Sequence, residues 1–129
     1  MGEYTMPDNP LVNLSKSFAV SMIKLCESVR ARGKSTAIVN QLLRSGTNIG
    51  ASVHEAHNAP DKAEYINCLQ RALKDVNETH YWLDVFFDAK LMAKEDYDRA
   101  VQQCRRIEKL TVAYITTAKY NTDSPWSPD

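Results

Sequence analysis

The sequence predicts an all-α domain, four helices in an up-down-up-down bundle, and three observations carry that prediction. Apolar residues recur at three- and four-residue steps through four separate stretches. The breaks between them are short and hold residues that stop or start helices: Gly33 with Ser35, Asn58-Ala59-Pro60, and the connection from Asp88 to Ala93. No stretch alternates apolar and polar residues as a strand would, and no internal repeat occurs. Short connections make consecutive amphipathic helices pack antiparallel. The chain therefore divides into a flexible N-terminus (1–9), a bundle domain (10–120) and a Pro- and Ser-rich tail (121–129) expected to be disordered unless Trp126 docks.

Asn9-Pro10 opens the first helix, Asn as N-cap and Pro at a position where its missing N–H costs nothing. Leu11, Leu14, Phe18, Met22, Leu25 and Val29 form its apolar stripe, and Gly33 suits the left-handed residue that ends it. Ser35 or Thr36 can cap the second helix, which runs to about His57 with Ile38, Leu42, Ile49, Val53 and Ala56 on its apolar side. Its middle holds Ser45, Gly46, Gly50, Ala51 and Ser52. A glycine there costs about 1 kcal/mol relative to alanine, a cost tolerated where another backbone must come close. Beside the apolar stripe runs a polar one: Gln41, Arg44, Asn48, Ser52 and Glu55.

Asp61 and Glu64 place carboxylates at the start of a third helix of about 28 residues, about 42 Å long. Ile66, Leu69, Leu73, Val76, Leu83 and Phe87 occupy one heptad-like seam, with His80 in the remaining slot; this seam is assigned to the bundle's own core. Tyr65, Ala72, Thr79, Trp82 and Phe86 form a second line, and a wide apolar arc implies burial on more than one side. Tyr81, Trp82 and Phe86 are therefore expected at a subunit interface, where alanine at Trp82 would dissociate the assembly. The fourth helix starts near Lys94 with Glu95 and Asp96 in its first turn. It carries Tyr97, Val101, Cys104, Ile107, Thr111 and Tyr114, with Leu110, Ile115 and Ala118 alongside.

A length of 129 residues suits one domain with a real core. Sixteen basic residues balance 16 acidic ones, so no global field draws the chain to nucleic acid or anionic lipid. The balance is uneven along the chain: residues 11–50 carry +5 and residues 51–100 carry −4. Lys16, Lys24, Arg30, Arg32 and Lys34 in the first hairpin are thus candidate contacts for nucleic acid, or for a neighbour's acidic side. Cys26, Cys68 and Cys104 lack CxxC spacing and fit reduced core thiols of a cytoplasmic protein. No signal peptide pattern and no membrane-length apolar run appear.

No catalytic or cofactor constellation stands out, and no cofactor is expected. The Glu-x-x-His pairs of a di-iron bundle are absent, and His54 with His57 in HEAH is not the HExxH of a zinc protease. No Arg precedes a His at the spacing of small helical ribonucleases, and no cysteine has an activating His nearby in sequence. The polar stripe is more informative. If the second and third helices pack antiparallel about residues 59–60, Arg44 faces Asp75 and lies near Glu78, while Asn48 faces Arg71 and lies near Lys74. Gln41, Arg44, Asn48, Glu55, Lys74, Asp75 and Glu78 then form a partly buried network that sets register. On that reading Arg44→Ala would lose more than about 1 kcal/mol, because a buried acid is left unpaired.

The segment QLLRSGTNIGASVHEAHNAPDKAEYINCLQRALKDVNETHYWL, Gln41 to Leu83, resembles the family of proteins encoded in intervening sequences of bacterial large-subunit ribosomal RNA genes. The pattern is carried by Gln41, Arg44, Ile49, Gly50, Ala51, Glu55, Ala56, Tyr65, then Ala72-Leu73-Lys74, and Glu78, Thr79, Tyr81-Trp82-Leu83. A Ser…Asn pair of the family is swapped here as Asn48 and Ser52, and its Lys-Glu step is Lys74-Asp75, with a shorter acid. The resemblance implies a left-handed four-helix bundle that assembles as a homopentameric ring, with no established enzymatic activity. It also implies kinship with accessory proteins of diversity-generating retroelements, which are strongly basic and bind nucleic acid and a reverse transcriptase. The expected role is a non-enzymatic scaffold or adaptor for nucleic acid or a nucleic-acid enzyme, with a purely protein-binding module as the alternative.

Overall fold

The computed structural model describes residues 9–33 and 36–120, with only the backbone of Thr36. Lys34, the candidate cap Ser35, the 1–8 segment and the tail with Trp126 lie outside the described residues. The described chain is all α: α1 (Pro10–Ala31), α2 (Thr36–His57), α3 (Lys62–Asp88) and α4 (Lys94–Tyr120). The starts and stops are those local chemistry dictates. The Asn9 side chain accepts from the Val12 N–H at 3.1 Å, with Pro10 in the first turn. Gly33 takes the left-handed conformation (φ 77°) just past the end of α1, its N–H bonded to the Arg30 carbonyl at 2.8 Å. Asp61 caps α3 by accepting from the Glu64 N–H at 2.9 Å.

The end of α3 departs from the glycine rule. Leu91 N–H reaches the Phe86 carbonyl at 2.8 Å and Lys90 N–H the Phe87 carbonyl at 3.0 Å, the paired bonds of a Schellman motif. Its left-handed residue is Lys90 (φ 63°), the one non-glycine with positive φ among the described residues.

Each helix packs chiefly on the next in sequence, while α1 and α4 share only a thin contact. That seam is pinned near its ends. The Leu11 N–H donates to the Tyr114 hydroxyl, and Arg32 Nη2 donates to the Leu91 carbonyl at 2.6 Å. The core runs the length of the bundle through Phe18, Leu42, Ile49, Leu69, Leu83 and Ile107, all fully buried. Glycines let α2 approach α1: a Cβ on Gly50 would stand 3.1 Å from the Ser15 carbonyl oxygen, and one on Gly46 2.6 Å from Met22 Cγ. Among the described residues no helix is long and apolar enough to cross a membrane.

The seam of α3 is not the one the apolar pattern favours. The core face is Tyr65, Leu69, Ala72, Val76, Thr79, Leu83 and Phe86, while Ile66, Leu73 and Phe87 are only partly buried at its flank. Both lines obey three- and four-residue spacing, so the choice falls on the layer where they offer Thr79 or His80. Thr79 is fully buried and donates its hydroxyl to the Asp75 carbonyl at 2.7 Å, so its polar atom is satisfied inside its own helix. A histidine in that layer would bury a titratable ring. His80 instead sits 3.9 Å from Asp84 at the surface.

Candidate functional site: the α2–α3 polar groove

The polar residues of α2 and α3 converge on an open groove of about 440 Å³ lined by Asn48, Ser52, Glu55, Arg71, Lys74, Asp75 and Glu78. Five of the seven network residues expected from sequence therefore meet, and Gln41 and Arg44 do not line it. Arg44 is exposed and donates to Gln41 on its own helix at 3.3 Å. The expected Arg44–Asp75 pair is corrected: Asp75 hydrogen-bonds Ser52, and Arg71 Nη2 bonds Glu55 Oε1 at 2.6 Å.

Two things separate these pairs from the expected levels. Helical side chains lean toward the N-terminus of their own helix. On α2 that lean is away from the connecting turn and on α3 it is toward the turn, so an α2 side chain meets an α3 residue farther from the turn than its own level. Ser52–Asp75 and Glu55–Arg71 are displaced in this direction by seven to eight positions, more than a lean of about one position per helix supplies, so the helices are also offset in register about residues 59–60.

Electrostatically the groove is unsettled at one point. Burial and the neighbouring Glu78 carboxylate push Asp75 above the usual carboxylate range, against the opposing pull of Arg71, the Ser52 hydroxyl and Lys74. Glu78 is exposed and accepts from Trp82 Nε1 at a long 3.5 Å. Arg71 also donates to Cys68 Sγ at 3.4 Å, and the Cys68 thiol donates to Glu64 Oε2 at 3.4 Å. Burial and that bond to Glu64 raise the Cys68 pKa, which keeps the sulfur protonated. Burial pushes Cys26 up to about 11 and Cys104 up to about 12. All three thiols are free and buried, the environment of inert cysteines.

Among the described residues no cluster of three His, Cys, Asp or Glu could hold a metal ion. His57 Nδ1 is buried without a hydrogen-bond partner among them. It borders a void of only about 10 Å³ between the ends of α1, α2, α3 and α4.

The aromatic residues expected at a subunit interface separate. Phe86 is fully buried in the chain's own core, which removes it from any such surface. Trp82 is half-buried against that core, and Tyr81 is 59% exposed, edge-on to Trp82 with ring centroids 5.0 Å apart. Of the candidate nucleic-acid contacts, Lys16 and Lys24 are exposed on α1. Arg30 donates to Asn40 on α2 and Arg32 to Leu91, so both are held by the fold.

The family of 23S rRNA-intervening sequence proteins matches residues 8–113. The chain belongs to that family. The matched span takes in α1 to α3 and α4 as far as Ala113, with both walls of the groove. A solved structure bears out the fold at 36% identity and a TM-score of 0.80. It is the 1.70 Å crystal structure of a protein with unknown function from the S23 ribosomal protein family of Bacteroides thetaiotaomicron VPI-5482. The likeness covers 83% of this chain and 99% of that one. None of the curated proteins compared matches the chain.

Proposed function

We propose that the chain is a non-enzymatic, homo-oligomeric scaffold of the cytoplasm. The observation that carries the reading is Tyr81, a large aromatic side chain 59% exposed on the outer face of α3 beside half-buried Trp82. An aromatic pair held out in this way serves a protein contact better than it serves solubility. Buried thiols supply no activated nucleophile for chemistry. The assembly we favour is the pentameric ring of left-handed four-helix bundles that the family resemblance implies. Light scattering of the full chain tests it: a mass several times 14.6 kDa supports the scaffold, and a monomer overturns it.

Nucleic acid is the second reading, and exposed Lys16 and Lys24 favour it. With Arg30 and Arg32 engaged inside the fold, the basic surface is narrower than the charge of the first hairpin implies. A gel shift with RNA at low and moderate salt decides between adaptor roles. Binding that is lost in Lys16→Ala/Lys24→Ala supports a nucleic-acid adaptor, and no binding at low salt leaves the protein scaffold alone.

A further inference from the structure

Between its pinned ends the α1–α4 seam stands open. A groove of about 310 Å³ runs there over a floor of Met22, Leu25 and Ala100, with Lys24, Ser28 and Arg99 on its walls. That size is at the small end of ligand clefts, which span about 300–1,000 Å³, and it suits one aromatic side chain. Arg99 is partly neutralised by Asp96 at 3.2 Å, whereas Lys24 extends into solvent on the rim.

The opposite side of the bundle carries a knob. Tyr81 projects from α3, with exposed Glu78 one turn before it at the edge of the α2–α3 groove and partly buried Val85 one turn after. We infer that the α1–α4 groove is the socket for Tyr81 of a second copy of this chain, with Glu78 meeting Lys24 at the rim. Three observations favour that occupant. The socket has an apolar floor, the knob is an exposed aromatic with an acidic neighbour, and with Arg99 paired to Asp96 the unpaired charge on the rim is Lys24, opposite in sign to Glu78. Knob and socket are different surfaces on opposite sides, so the contact is head-to-tail, the kind that closes into a ring or extends as a filament. The inference rests on the homo-oligomeric reading above and specifies its interface.

The test uses two full-length variants that each lose one half of the contact. Tyr81→Ala removes the knob and keeps the socket, and Lys24→Glu/Ser28→Glu blocks the socket and keeps the knob. All three positions lie at the surface, and circular dichroism and melting of each variant check that the bundle is intact. Light scattering at a concentration where the wild type is assembled is expected to give monomers for each variant alone. Their equimolar mixture is expected to stop at twice the 14.6 kDa chain mass, because one competent knob and one competent socket remain. Tyr81→Phe is expected to assemble like the wild type. Folded variants that keep the wild-type mass overturn this interface and leave the scaffold reading standing. A mixture that regains the full wild-type mass overturns the head-to-tail arrangement. A wild-type monomer removes both the interface and the scaffold.

Discussion

The Arg71 guanidinium meets the Glu55 carboxylate at 2.6 Å across the α2–α3 face, each side chain at least half exposed. Solvent screens such a pair, so Arg71→Ala or Glu55→Ala is expected to cost less than about 1 kcal/mol, with a coupling of about 0.5 kcal/mol in a double-mutant cycle. Arg44, exposed and bonded only within its own helix, is expected to be silent: Arg44→Ala should change stability by less than about 0.5 kcal/mol. Urea denaturation measures all three, and a large loss at Arg44 would restore the partner that the geometry denies it.

Gly46 leaves room for Met22, whose Cγ would lie 2.6 Å from an added Cβ. Cγ is near the root of that side chain, so its whole rotamer has to move within a packed core. Gly46→Ala is therefore expected to lose about 1–3 kcal/mol by overpacking, even though alanine is the better helix former. In a Met22→Ala background the same change is expected to cost little or to stabilise. An equal loss in both backgrounds, read from thermal melts, would assign the cost elsewhere.

Asp75 gives a pH signature. Its folded pKa is raised, so as pH climbs above 3.8 the unfolded chain releases its proton first, and this group's contribution to stability declines. The penalty is complete above the raised folded pKa and absent below the unfolded one. Asp75→Asn, which can still accept from Ser52, is expected to melt higher than wild type at pH 7 and to lose that advantage near pH 3. A constant difference across the range would place the effect in packing instead of charge.

Lys90 occupies the left-handed position that ends α3 (φ 63°), where a side chain costs about 1–2 kcal/mol. Lys90→Gly removes that strain but gives the unfolded chain more freedom. The net gain is expected to be about 0.5–1 kcal/mol. A decrease in denaturation midpoint would show that the lysine contributes a compensating contact.

The four helices are legible because their signals are local. Asn9, Gly33 and Asp61 act within four residues of where they sit, and each adopts the role its chemistry specifies. The assignment of faces was harder, since α3 is apolar over an arc wide enough for two seams. Phe86 looks equally suited to core or interface in a periodicity count; it lies inside on the same face as Thr79, whose buried hydroxyl is satisfied within its own helix. The groove was legible in membership and not in pairing. Residue types and stripe positions bring Asn48, Glu55, Lys74, Asp75 and Glu78 together, but which atoms meet depends on helix register as well as side-chain lean. Lys90 carries no sequence signal at all, because nothing in its residue type announces a left-handed backbone.

The thin seam between α1 and α4 also ranks the helices by how they come apart. α2 and α3 are each clasped on two sides, whereas α1 and α4 are each held firmly by one neighbour. Amide protons in the outer helices are thus expected to exchange with solvent ahead of those in the α2–α3 hairpin, through partial opening that leaves the centre folded. A copy bound across the seam would clamp both outer helices at once, so that association and slowed exchange rise together.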